Sequence, residues 1–171
     1  MNVTLVRRLT KNAIMLALLC VIGMFAIPLG DNIKVSLQLL IVFIIGLTAT
    51  TVFDALIVTA LYLVLGLFMP IYAGFSAGIS PTFGFVISFV VIVIPLYFLN
   101  KLKIKNQFIR MGLACFVALI LCYAIGALFL ALYLKLNIEK ALLIAVVPYL
   151  PFDVAKIIIA TLIVSLLPKK S

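Results

Sequence analysis

Asp153 and Lys156 stand three positions apart inside the apolar stretch that runs from Ala141 to Leu167, next to two prolines, Pro148 and Pro151. On a helix that spacing brings both side chains to one face, close enough to meet. A carboxylate accepts from N–H groups and an ammonium donates to carbonyl or carboxylate oxygens, so together they suit a small ligand carrying both, of which a ureido ring is one example. The competing reading is an ion pair that locks one helix orientation and binds nothing. Charges inside a membrane face the bundle interior and mark function by default, which favours the ligand.

The surrounding chain makes the membrane the expected solvent. Its 171 residues are 68% hydrophobic and 10% charged, with a mean hydropathy of +1.48, far from the composition of soluble domains. Apolar runs divided at charges, prolines and glycines predict an all-α membrane protein with six transmembrane helices in one integral-membrane domain over residues 1–171. The spans are about 10–29, 35–50, 53–70, 82–100, 108–134 and 140–167. The first run is long and is followed by others, so it reads as a retained span and not as a cleaved signal. Spans two and three are close enough to predict a tight antiparallel hairpin near Thr48 to Asp54.

An even number of spans puts both termini on one side. Arg7, Arg8, Lys11, Lys101, Lys103, Lys105, Arg110, Lys169 and Lys170 then share that side, and Lys34, Lys135 and Lys140 lie opposite. The positive-inside rule makes the termini cytoplasmic and the chain a multi-pass protein of the cell membrane. The net charge of +9 is topology and not a nucleic-acid footprint, because the basic residues form no stripe interleaved with aromatics.

Prolines place the polar pair. Pro151 suits the first turn of a helix running on through Leu167, which sets Asp153 where the helix dipole stabilises an anion. That helix is about 25 Å long, so the pair falls below the outer surface and short of the midplane. The uncharged segment from Pro70 to Pro81 is too irregular for a helix and predicts a lid, a pocket wall or an ordinary outer loop. Ala13 and Ala17, four apart, offer a small-residue face for close helix approach, within the chain or to a partner.

Several chemistries are excluded. There is no histidine, no GxxxxGK[ST] phosphate loop, no HExxH and no GxSxG, so neither a metal, a cofactor nor a catalytic residue is expected and no P-loop ATP site exists in this chain. Cys20, Cys115 and Cys122 lie in apolar runs and read as small hydrophobes. One carboxylate and one lysine do not make an acid, base and nucleophile set. A substrate-binding subunit that borrows its motor fits; the alternative is a small structural or assembly protein.

Three segments resemble the BioY family, the biotin-specific substrate-binding (S) components of energy-coupling factor (ECF) transporters. Ile27-Pro28-Leu29 followed by Val35-Ser36-Leu37-Gln38-Leu39-Leu40 is similar to the family's IPLP…(I/F)TLQTL. Leu61-Tyr62-Leu63-Val64-Leu65-Gly66-Leu67, the loop through Gly74 and Gly78, and Ser80-Pro81-Thr82-Phe83-Gly84-Phe85 resemble LYL.LG…GG…GPT.GY. The run from Gly126 to Lys156 resembles G…L…L…EAL..GVLPFLPGDLLK.

The resemblance implies a six-helix protein that binds biotin, or a related vitamin such as lipoate, near its outer face. It implies assembly with a transmembrane T subunit and two cytoplasmic ABC ATPases, and toppling in the membrane to release the vitamin inside. Asp153 and Lys156 match the family's ligand-binding pair, Ala13 and Ala17 its T-docking motif, and Ser36, Gln38, Thr82 and Tyr149 fall in matching binding segments. Phe152, Phe75, Ala77 and Val86 depart from the pattern and imply a reshaped pocket.

Overall fold

The computed structural model describes residues 3–28 and 34–167. Leu29, Lys169 and Lys170 lie outside them. Seven helices occur among the described residues: α1 (Val3–Met24), α2 (Gln38–Thr48), α3 (Val52–Phe68), α4 (Phe83–Leu99), α5 (Gln107–Leu134), α6 (Ile138–Ala145) and α7 (Leu150–Leu166). A short antiparallel pair, β1 (Ala26–Pro28) and β2 (Lys34–Ser36), joins α1 to α2 with Ile27 opposite Val35.

The helix α2 lies at the centre. Every residue from Gln38 to Leu47 is buried, as a segment apolar on all faces requires. It packs chiefly against α4 and α7. The expected hairpin with α3 is therefore only a tight connection: Thr51 caps α3 in a capping box with Asp54, but α2 turns its surface to other helices. Residues 34–36 are strand and not the start of the second span. The backbone N–H of Gln38 is instead received by Ser36 Oγ at 3.0 Å, which satisfies a donor that the first helical turn leaves open.

The sixth expected span is two helices, bent 55° at the break between α6 and α7. Pro148 and Pro151 have no N–H to continue the ladder, and Val146 N–H and Val147 N–H both end on Leu142 O. The chain restarts with Tyr149 before α7 and proline in its first turn, as the proline positions predict. α5, with 28 residues, is long and apolar enough to cross a membrane alone, and the bent α6–α7 pair qualifies jointly; α2, α3 and α4 are apolar but shorter, at 11, 17 and 17 residues.

Polarity is reversed relative to a water-soluble fold. Phe53, Phe68, Phe116, Leu128, Leu132 and Leu166 are exposed, while Gln38, Asp54, Thr59, Ser88, Asp153 and Lys156 are buried. An exposed apolar surface of this extent marks contact with lipid or protein and not water.

Polar contacts also tie one end of the bundle together. Arg8 holds both oxygens of Asp54 at 3.0 Å, Asn12 donates to Asp54 Oδ1 at 2.9 Å, and Lys11 donates to Thr48 O. Asn100 donates to Leu47 O at 2.8 Å and accepts from Arg110 at 3.3 Å. The basic starts of α1 and α5 thus meet the end of α2, the start of α3 and the end of α4.

At the other end, the segment after α3 is non-helical, as expected. Ile71 and Tyr72 are buried, and Tyr72 pairs with Ser76 across a turn in which Gly74 has φ +73° and Phe75 +57°. Gly66 makes room for the Tyr72 ring: a Cβ there would lie 2.0 Å from its Cε1. Gly66→Ala should destabilise the protein by about 1–3 kcal/mol through overpacking, read as a lowered unfolding midpoint in detergent. An unchanged midpoint would mean that the ring vacates the space freely.

Candidate functional site

The polar pair is assembled largely by local geometry. Leu150 and Pro151 open α7, Asp153 N–H donates to Tyr149 O at 2.9 Å, and one turn later Lys156 returns to the same face. Lys156 Nζ meets Asp153 Oδ1 at 2.6 Å, with both residues buried at 6% and 5% exposure. Burial at this level requires that each charge be paired.

A third residue completes the group. Tyr123, projecting from α5, donates its hydroxyl to Asp153 Oδ2 at 2.6 Å. Both carboxylate oxygens are therefore held, one from the same helix and one from across the bundle. Lys156, by contrast, makes a single hydrogen bond among the described residues, leaving further donor capacity on its ammonium. Each Asp153 oxygen likewise keeps accepting capacity beyond its one bond. The group thus offers an acceptor and a donor side by side in a water-poor interior.

A second buried network lies at the start of α2. Gln38 Nε2 donates to Tyr62 OH, which donates onward to Ile71 O at 2.9 Å. Tyr62 meets Tyr72 with ring centroids 5.5 Å apart, Tyr72 meets Phe83 at 6.1 Å, and Phe83 meets Phe129 at 6.0 Å. This aromatic series links α3, the loop, α4 and α5. The loop is fastened further by Gly74 N–H to Met24 O and Gly78 N–H to Gly66 O, both 2.9 Å, and by Tyr72 OH to Leu63 O at 2.6 Å.

The sequence-predicted residues therefore fall in several places. Asp153 and Lys156 form one contact group, and Ser36 with Gln38 another; α2 packs against α7, but among the described residues no hydrogen bond joins the two groups. Tyr149 is half-buried just before α7. Thr82 is exposed at the start of α4, sharing a hydroxyl contact of 3.1 Å with Ser80. Ala13 and Ala17 are exposed on α1. Phe152 and Phe75 point to exposed surface at 37% and 60%, whereas Val86 is buried.

Tyr123 and Tyr62 were not singled out from sequence. A signal existed for Tyr123: a tyrosine in an apolar span needs a partner for its hydroxyl when buried, and the chain holds only four acidic residues. Among the described residues no cluster of His, Cys, Asp or Glu is suited to a metal.

The BioY family model matches residues 1–171. The biotin transporter BioY of Thermotoga maritima is 30% identical over 168 residues, covering 95% of this chain and 96% of that protein. The biotin transporter BioY2 of Lactococcus lactis subsp. cremoris is 30% identical over 162 residues, covering 90% of this chain and 86% of that protein. A crystal structure of the S-component for biotin from an ECF-type ABC transporter has the same fold, with a TM-score of 0.84 at 24% identity, covering 96% of this chain and 92% of that one.

Proposed function

Because the chain belongs to the BioY family, we propose that it is the membrane-embedded S component for biotin uptake by an ECF-type ABC transporter. The observation that carries this reading is the match along the whole chain to that family and to relatives named biotin transporters. It is a transporter component and not an enzyme. The biotin it carries leaves unchanged.

Asp153 and Lys156 bind the vitamin's ureido ring. A cyclic urea places a carbonyl oxygen beside an N–H along one edge, and this edge complements a donor beside an acceptor. The pair's burial, its free hydrogen-bonding capacity and its 2.6 Å spacing support the assignment. Gln38, Ser36, Thr82 and Tyr149 contribute further contacts from the outer ends of α2, α4 and α7.

The chain crosses the cell membrane six times, α6 and α7 together making the last crossing, with both termini cytoplasmic. The grouping of Arg8, Lys11 and Arg110 at one end of the bundle supports that orientation through the positive-inside rule. A transmembrane T subunit docks on Ala13 and Ala17, and two ABC ATPases on separate chains supply the energy.

Calorimetry on the purified protein tests the substrate. Biotin should bind with a clear heat at one site, and lipoate and thiamine should bind far more weakly. Absence of biotin binding sinks the transport reading; tighter binding of lipoate reassigns the substrate and leaves the architecture standing.

A further inference from the structure

Asp153 is fixed from two directions, and the two contacts differ in kind. Lys156 lies one turn along the same helix, so it moves wherever α7 moves. Tyr123 comes from α5, thirty positions away in sequence, and is the described residue outside α7 that hydrogen-bonds the carboxylate. Its neighbour Cys122 is buried and receives Ser88 Oγ from α4 at 3.1 Å, so this part of α5 is itself held in the core.

We propose that Tyr123 is a positioning residue for vitamin recognition: its hydroxyl, held on α5, aims the Asp153 carboxylate so that one oxygen accepts the ligand's ring N–H while Lys156 donates to the neighbouring carbonyl. This rests on the assignment of Asp153 and Lys156 to the ureido ring. The physical need is specific. A carboxylate bound only by its own helix neighbour rotates about its side-chain bonds, and each rotation carries the acceptor away from the N–H. A second bond to the other oxygen removes that freedom before the ligand arrives, which is preorganisation. The Tyr123 bond, at 2.6 Å to a charged acceptor, is of the short, strong, charge-assisted kind.

Tyr123→Phe keeps the ring and its packing and deletes the hydroxyl alone. Biotin affinity should fall about 10- to 100-fold, as for loss of a hydrogen bond to a charged group. The discriminating measurement pairs this variant with two carbamate analogues of biotin, in which one or the other ring N–H is replaced by oxygen. One analogue lacks the N–H that Asp153 accepts. For that analogue the wild-type protein should already bind weakly, and Tyr123→Phe should cost it little more, because coupled groups are non-additive. The other analogue should lose affinity as biotin does.

Equal losses for all three ligands would mean that Tyr123 merely supports the fold, and would overturn the proposal. So would unchanged biotin affinity in the variant, an outcome that leaves the Asp153–Lys156 assignment intact. If the wild-type protein binds biotin and both analogues equally, the assignment itself fails and the proposal falls with it. A partly unfolded variant lowers the active fraction for every ligand alike and leaves the ratios between them unchanged, so the ligand ratios remain decisive.

Discussion

Asp153→Ala and Lys156→Ala should each abolish measurable biotin binding in calorimetry, a loss of at least about 100-fold. Removing either partner strands a buried charge, which costs about 3–5 kcal/mol, and also deletes the acceptor or the donor that the ureido edge needs. The first effect alone would also follow if the pair were only a lock between helices. A double variant separates the two. Asp153→Asn with Lys156→Met removes both charges together, retains an acceptor for the Tyr123 hydroxyl and keeps side-chain volume close to the original. Replacing both members of a buried pair is often neutral for stability. The double variant should therefore unfold near the wild-type midpoint while binding no biotin. If it binds as well as the wild type, or if the single variants do, the pair serves structure and the recognition assignment fails.

Ala13→Trp should eliminate co-purification with the T subunit while leaving biotin binding unchanged. Ala13 and Ala17 are exposed on the isolated chain, and Ala13 lines a groove of about 380 Å³ between α1 and α3 with Leu9, Leu16, Ile57 and Leu61. Small residues allow helices to approach closely in a membrane, and an indole at that position holds a partner helix off. Asp153 and Lys156 are on α7, whereas α1, which carries Ala13, packs chiefly against α3 and α2, so the substitution does not fall on the helix that bears the pair. Retention of the complex would move the docking surface elsewhere. Loss of biotin binding would show that the substitution disturbs the bundle and not only its outer face.

Much of this architecture was legible because it is local. The break between α6 and α7 follows from two residues that lack an N–H, Pro148 and Pro151, and the contact between Asp153 and Lys156 follows from helical spacing. The irregular loop from Pro70 to Pro81 is likewise decided within a few positions. Where the expectation failed, the cause was again identifiable. Residues 35–50 read as one apolar span, but hydropathy does not distinguish strand from helix in a short run, and β1 supplied a partner for residues 34–36.

The sequence by itself determined a membrane-class helical protein, the two charges at the start of α7 and their shared face, since composition and short-range spacing fix these through backbone hydrogen bonding and burial alone. Only the tertiary structure decided that Tyr123 holds Asp153, that Gln38 leans on Tyr62 and that Arg8 and Asn12 close on Asp54. Those contacts depend on how helices cross and rotate against one another, which is set by the packing of whole faces. No spacing along the chain encodes such a contact in readable form. The pair at the start of α7 was therefore visible as two charges, and the hydroxyl that reaches Asp153 from α5 was not.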